Sequence, residues 1–165
     1  MCIRDSFYTD LVNKDLKYAL YDGKAWAYEI VDGDGPTVQD YKIFPRVRGG
    51  SDVSVSNACA VTSDGVQVFY RDESQGILLG AVKNNGEWIY EIVDGDKDTE
   101  NRTTGDVAFH MKSITVGKNV HLIYDSVKGF DADKNVTKGE IRYSVRTGIG
   151  AADWKYKTLD APDGS

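Results

Sequence analysis

Trp88-Ile89-Tyr90-Glu91-Ile92-Val93-Asp94-Gly95-Asp96 occurs almost unchanged as Trp26-Ala27-Tyr28-Glu29-Ile30-Val31-Asp32-Gly33-Asp34. A looser copy stands at Trp154-Lys155-Tyr156-Lys157-Thr158-Leu159-Asp160, and the three tryptophans are 62 and 66 residues apart. Working outward, residues 8–34 map onto 70–96 at a constant offset of 62, with 12 of 27 positions identical. A second gapless match, at offset 54, carries Arg48, Asp52, Val53, Val66 and Tyr70 onto Arg102, Asp106, Val107, Val120 and Tyr124. A unit this long, rich in β-forming residues, is the signature of an array of small sheets.

Each complete unit reads as four short strands, A to D, separated by Gly, Asn and Asp turn signals. Strand A, about 53–62, carries small residues such as Ser56, Ala58, Cys59 and Ala60. That suits an innermost strand crowded by its neighbours. Its counterpart at 107–116 is bulkier. Strand B covers about 66–71 and 120–124, and strand C recurs at 16–20, 78–82 and 141–145 with period-two alternation. Asp22-Gly23 and Asn84-Asn85-Gly86 supply hairpin chemistry before strand D. Strand D, with Trp, Tyr and Ile on one face and Glu or Lys on the other, reads as an outer strand with one wet face. The predicted fold is all-β, a β-propeller segment of about two and three-quarter four-stranded antiparallel blades. A β-sandwich is the alternative, but it has no reason to repeat a strand nearly verbatim. The units divide as 7–35, a partial blade; 36–98, a complete blade; and 99–165, a complete blade with a long B-to-C loop at about 125–139.

With ten Tyr, three Trp and 41% hydrophobic residues the composition leans towards β structure. A net charge of −6 and no basic stripe argue against nucleic-acid or anionic-membrane partners. No apolar run reaches membrane-spanning length, so membrane insertion is not expected. Cys2 and Cys59 form neither a disulfide framework nor a metal spacing, and Cys59 reads as a small buried residue. Residues 1–6, Met-Cys-Ile-Arg-Asp-Ser, resemble the adapter-derived leader of metagenomic reading frames and are set apart from the fold. Three units fall short of the roughly four to eight blades of known propellers. The chain is therefore expected to be a fragment whose remaining blades belong to its parent chain, or to close its ring by self-association.

The strings Tyr-x-Asp (Tyr8, Asp10; Tyr70, Asp72), Leu16-Lys17-Tyr18-Ala19, Gly86-Glu87-Trp88 and Ile-Val-Asp (30–32, 92–94) resemble tandem blades of bacterial secreted propellers related to the sialidase superfamily. The resemblance spans nearly all of 7–160. It implies an extracellular or envelope location and a carbohydrate-binding or other surface-ligand role, with a sialidase-like glycoside hydrolase and a structural repeat scaffold without ligand as the alternatives. The family's Asp-box is absent, as is its Arg-Ile-Pro opening, for which Ile43-Phe44-Pro45-Arg46 is no match.

Long D-to-A and B-to-C connections should emerge on one face, which is the candidate binding face. Residues repeated in every unit read as structural. Tyr8, Tyr70 and Tyr124, with Asp10, Asp72 and Asp125, read as inter-strand staples. The pairs Arg48–Asp52 and Arg102–Asp106 read as ion pairs holding the D-to-A connection, or as guanidiniums offered to a ligand carboxylate. Ligand-binding candidates are Tyr41, Lys42, Phe44, Arg46, Arg48, Arg71, Arg102 and Phe130, combining aromatic faces with polar tips that suit a glycan or other cell-surface ligand. Asp131, Asp133 and Asn135 form a D-x-D-x-N string of hard oxygens suited to calcium, as do Asp94, Asp96 and Asp98. Both strings are incomplete; in the first, Val136 and Arg142 stand where a calcium loop needs Gly and Glu. No other cofactor is expected. His110 and His121 fall in strands A and B and read as packed strand residues. No nucleophile context accompanies them, so no catalytic residue can be assigned.

Overall fold

The computed structural model describes residues 5–33, 52–53, 55–96, 101–148 and 153–161. The described residues form three antiparallel sheets, each a meander in which consecutive strands pair. Sheet 1 holds β1 (Asp5–Asp10), β2 (Asp15–Tyr21) and β3 (Trp26–Asp32). Sheet 2 holds β4 (Asn57–Thr62), β5 (Gly65–Asp72), β6 (Ile77–Asn84) and β7 (Glu87–Asp94). Sheet 3 holds β8 (Asp106–Val116), β9 (Asn119–Phe130), β10 (Val136–Thr147) and β11 (Trp154–Asp160). The all-β class and the four-strand unit expected from the repeat are both present. Asp5 and Ser6, set apart as leader, pair with Leu20 and Ala19 in β1.

The sheets stack in chain order, with β4 lying against both β1 and β8. Because side chains alternate across a strand, sheet 2 divides its residues between two cores. Val68, Tyr70, Leu79, Ala81 and Tyr90 pack with Leu16, Tyr18 and Val31 of sheet 1. Phe69, Leu78 and Val93 pack with Val107, Leu122, Tyr124 and Trp154 of sheet 3. Hence β7 has no wet face. Glu91, expected at solvent, is 5% exposed, because a sheet covers each side.

A β-bulge recurs at one place in all three sheets. Between β2 and β3 the register skips Val31, between β6 and β7 it skips Val93, and between β10 and β11 it skips Leu159. A bulged residue leaves its ladder, and its carbonyl can then serve the neighbouring sheet. Tyr90 Oη donates to Val31 O at 2.7 Å, and Tyr156 Oη donates to Val93 O at 2.6 Å. The next residue serves in parallel: Tyr70 Oη donates to Asp32 Oδ2 and Tyr124 Oη to Asp94 Oδ2, both at 2.6 Å. Tyr70 and Tyr124 are thus staples, but between sheets, whereas Tyr8 is 37% exposed. Asp10 and Asp72 do separate work, capping the turns after strand B by accepting backbone N–H groups at 2.9–3.2 Å. In sheet 3 the strands run past Asp125, so the expected loop at 125–139 is strand up to Phe130 and again from Val136. Asp131 caps that turn.

Two further expectations fail for local reasons. Cys59 is exposed, and His110 is 87% exposed at its side chain, where β8 slips register on either side of Phe109 and both Ala108 (φ 71°) and His110 (φ 46°) adopt left-handed backbone. His121, by contrast, is packed, with Nδ1 2.6 Å from Tyr143 Oη.

Removing either inter-sheet hydroxyl leaves a buried carboxylate short of a donor. Tyr70→Phe and Tyr124→Phe should each lower unfolding free energy by about 1.5–3 kcal/mol, read from urea denaturation. A second test concerns Asp10, whose carboxyl is held well below its ordinary 3.8, first by the Lys17 ammonium at 2.5 Å and then by Asn13. A depressed carboxylate contributes stability that is complete above its unfolded pKa and lost as pH falls through the folded one. The stability difference between wild type and Asp10→Asn should therefore narrow as pH is lowered below 3.8; a constant difference would contradict this assignment.

Candidate functional site

The expected face exists among the described residues. Glu73 N donates to Asp52 O at 2.7 Å, Val53 N to Lys14 O at 3.2 Å, and Val107 N to Gly76 O at 3.1 Å. The turns after strand B and the connections after strand D therefore share one rim. Gly95, at φ 100°, makes this approach possible, since a Cβ there would lie 2.8 Å from Val107 Cγ2 and 3.0 Å from Ile77 Cα.

On that rim, between sheets 2 and 3, lies a cleft of about 400 Å³ lined in part by Asn101, Arg102, Lys128, Glu140, Arg142 and Tyr156. Four cations, Lys157 in addition to the three just named, and one acid give it a positive character within a chain of net charge −6. Arg102 is held by Asp96, with its guanidinium 5.9 Å from the Tyr156 ring centroid. Arg142 donates from Nε to Asp94 Oδ2 at 2.9 Å, from Nη2 to Asn101 O at 2.7 Å, and from Nη1 to Glu140 Oε2 and Thr158 Oγ1, both at 3.2 Å. Both arginines are therefore anchored, and Asp94 keeps Arg142 charged against the cost of burial. Lys128 is exposed and reaches only the Thr104 carbonyl, at 3.3 Å. It and Lys157, which is also exposed, are the available charges in the cleft. Burial holds the Tyr156 hydroxyl well above its ordinary pKa, so it stays a neutral donor.

A second depression, of about 580 Å³, lies on the outward face of sheet 3 and is lined by Phe109, His110, Phe130, Val136 and Ile141. His110 Nδ1 sits 2.9 Å from Asp125 Oδ2 there.

The sequence candidates scatter across these features. Tyr41, Lys42, Phe44, Arg46, Arg48 and Asp98 lie outside the described residues. Arg102 lines the cleft, and Phe130 lines the apolar depression. Arg71 reaches neither. It is buried between sheets 2 and 3, donating to Val107 O, to Asp106 Oδ1 at 3.0 Å and to Glu73 Oε2 at 2.5 Å, over the Phe109 ring. The pairing of Arg102 with Asp106 is thereby corrected: Asp106 takes Arg71, and Arg102 takes Asp96. Asp52 approaches Lys14 at 3.4 Å.

Nor are the oxygen strings brought together as ligands. Asp131 spends Oδ1 on the N–H groups of Asp133 and Asn135 and Oδ2 on Asn135 Nδ2. Asn135 and those N–H groups hold its carboxyl below its ordinary value. Asp94 is committed to Gly95, Thr103, Tyr124 and Arg142, and Asp96 to Arg102. Among the described residues no group of three acidic, His or Cys side chains could hold a metal ion, and no helix is long and apolar enough to cross a membrane. No protein-family model, curated protein or solved structure matches the chain.

Sequence reasoning missed Arg142, which stands where the other units have Lys17 and Leu79 and so carries no repeat signal. It also missed a lock that did carry one. Glu29 accepts from Trp88 Nε1 at 3.2 Å and from Lys83 Nζ, while Glu91 accepts from Trp154 Nε1 at 3.1 Å and from Arg146 Nη1. A cation immediately after strand C, at Lys83 and Arg146, together with a repeated Glu in strand D, was the available clue. Burial pushes the Glu91 carboxyl above its ordinary value, with the Arg146 guanidinium and the Trp154 N–H pulling the other way.

Breaking that pair strands a buried guanidinium. Glu91→Gln should cost about 3–5 kcal/mol of unfolding free energy, whereas Glu91→Leu with Arg146→Met should recover most of the loss. Guanidinium-chloride unfolding of the three proteins would show whether the double variant is the less damaged.

Proposed function

We propose that this chain is a segment of a β-propeller that recognises an acidic carbohydrate, or another carboxylate-bearing surface ligand, on the rim carrying its strand-B turns and strand-D connections. Support for the propeller reading is that the sheets stack in chain order with their first strands adjacent, and that one interface is built twice from equivalent residues. The observation that carries the ligand reading is the cationic cleft on that rim. Arg102 and Arg142 set a fixed positive floor, Lys128 and Lys157 offer exposed ammonium groups, and Asn101 and Tyr156 add the mixed polar and ring surface that sugars use. Steering of an anion into such a cleft weakens with salt.

A second reading, a repeat scaffold with no ligand, is favoured by one observation: every nitrogen of the Arg142 guanidinium already serves an internal acceptor. The hydrolase reading implied by the resemblance draws no support from Tyr156, whose hydroxyl is given to Val93 O.

Titration calorimetry against paired oligosaccharides, uronate or sialoside versus neutral analogue, separates these readings. Binding of the acidic member, weakened by added salt and lost in Lys128→Glu, is expected. Equal affinity for both members, or heat from neither, would sink the ligand reading and leave the scaffold.

A further inference from the structure

The two inter-sheet interfaces are one interface made twice, and its halves stand uncovered at opposite ends of the described array. The donor half of sheet 2 is Tyr70, Trp88, Tyr90 and Ile92, packed on sheet 1. Its counterparts in sheet 1 are Tyr8, Trp26, Tyr28 and Ile30, and these are 37%, 49%, 65% and 47% exposed. The acceptor half consists of the bulged residue, the Asp after it and the apolar residues beside them. In sheets 1 and 2 Leu16, Val31, Leu78 and Val93 of that half have no exposure. The counterparts in sheet 3, Ile141 and Leu159, are 39% and 49% exposed, and Asp160 is exposed beside them. The bulge itself is retained at Leu159.

One pair of positions departs from the pattern, and it departs on both halves. Where sheets 1 and 2 present Glu29 and Glu91 to the next sheet, sheet 3 presents Lys157. Where sheets 2 and 3 bring Lys83 and Arg146 to meet that acid, sheet 1 brings Tyr21, whose ring lies 5.2 Å from that of Trp26. Uncorrected, a lysine facing another cation would repel. Here it would meet two adjacent tilted rings. In both built interfaces the cation belongs to the sheet that carries the Trp, Lys83 at 5.6 Å from Trp88 and Arg146 at 4.7 Å from Trp154, and in sheet 1 Tyr21 takes that position, leaving a lysine of the facing sheet no cation to oppose it. The exchange keeps the contact favourable while replacing an ion pair by a cation–π contact.

We propose that the open face of sheet 1 docks the open face of sheet 3 of a second copy of this chain, head to tail. Tyr28 donates its hydroxyl to the carbonyl of Leu159 of the partner subunit, and Tyr8 donates to Asp160 of the partner subunit. Lys157 of the partner subunit lies against Tyr21 and Trp26. The contact is heterologous, so each copy offers one donor half and one acceptor half.

The test is sedimentation equilibrium of the purified chain over a wide concentration range, with two variants at exposed positions, Tyr28→Lys and Leu159→Lys. The wild type is expected to reach multiples of its 18.2 kDa mass, and each variant alone to remain a monomer. Because the two variants spoil opposite halves, their mixture retains one intact pairing and should form a dimer and nothing larger. Near-ultraviolet circular dichroism checks that both variants keep the wild-type fold; should one fail to, Tyr28→Ala and Leu159→Ala replace the pair. A wild type that is monomeric throughout would overturn the proposal, assigning the faces to another occupant such as a further repeat. So would assemblies that survive both variants, or a mixture that stays monomeric.

Discussion

Asp94, with no exposed surface, accepts four hydrogen bonds from three parts of the chain. Its Oδ1 takes Gly95 N and Thr103 N at 2.9 and 2.8 Å, and its Oδ2 takes Tyr124 Oη and Arg142 Nε at 2.6 and 2.9 Å. A buried carboxylate is tolerated only when its lone pairs are filled, and here filling them fixes geometry. The end of β7, the connection that follows it and two strands of sheet 3 must all converge on one atom pair. The cleft is a product of that convergence, since Arg142 reaches its rim by way of Asp94.

The same economy explains why a nine-residue strand is written nearly verbatim. In strand D the Trp and Tyr reach back to the preceding sheet, while the Glu, the bulged Val and the Asp receive the following one. Each of these five residues thus has a partner in another unit. A sheet with this motif is complementary to itself in translation, which is the condition for an array. Departures from it mark positions where that rule is relaxed, and they fall in sheets 1 and 3, at Tyr21 and Lys157.

Stability and recognition draw on the same cations. Arg71, Arg102, Arg142 and Arg146 are all nearly buried, each bound to a carboxylate. In a chain with excess acid, the arginines bridge sheets, and the exposed lysines carry what positive charge is left for the surface. This is why Lys128 and Lys157, and not the arginines, are the available charges in the cleft.

By itself the sequence determined the repeat, the four-strand unit, the small residues of β4 and the rim on which connections gather. These follow from local periodicity, turn chemistry and identity between copies, which need no knowledge of what lies across an interface. Only the tertiary structure decided which side chains meet. Arg71 and Arg102 looked alike as candidates, yet one is sealed between sheets and the other lines a cleft. Asp106 was assigned to Arg102 by proximity in sequence, whereas stacking brought it to Arg71 from 35 residues away. The bulge at Val31, Val93 and Leu159 has no signature in composition, because it arises from strand register and the pull of a neighbouring sheet's tyrosine. Inter-sheet contacts join residues some 30 to 80 positions apart, and at that separation pattern alone names the participants without pairing them.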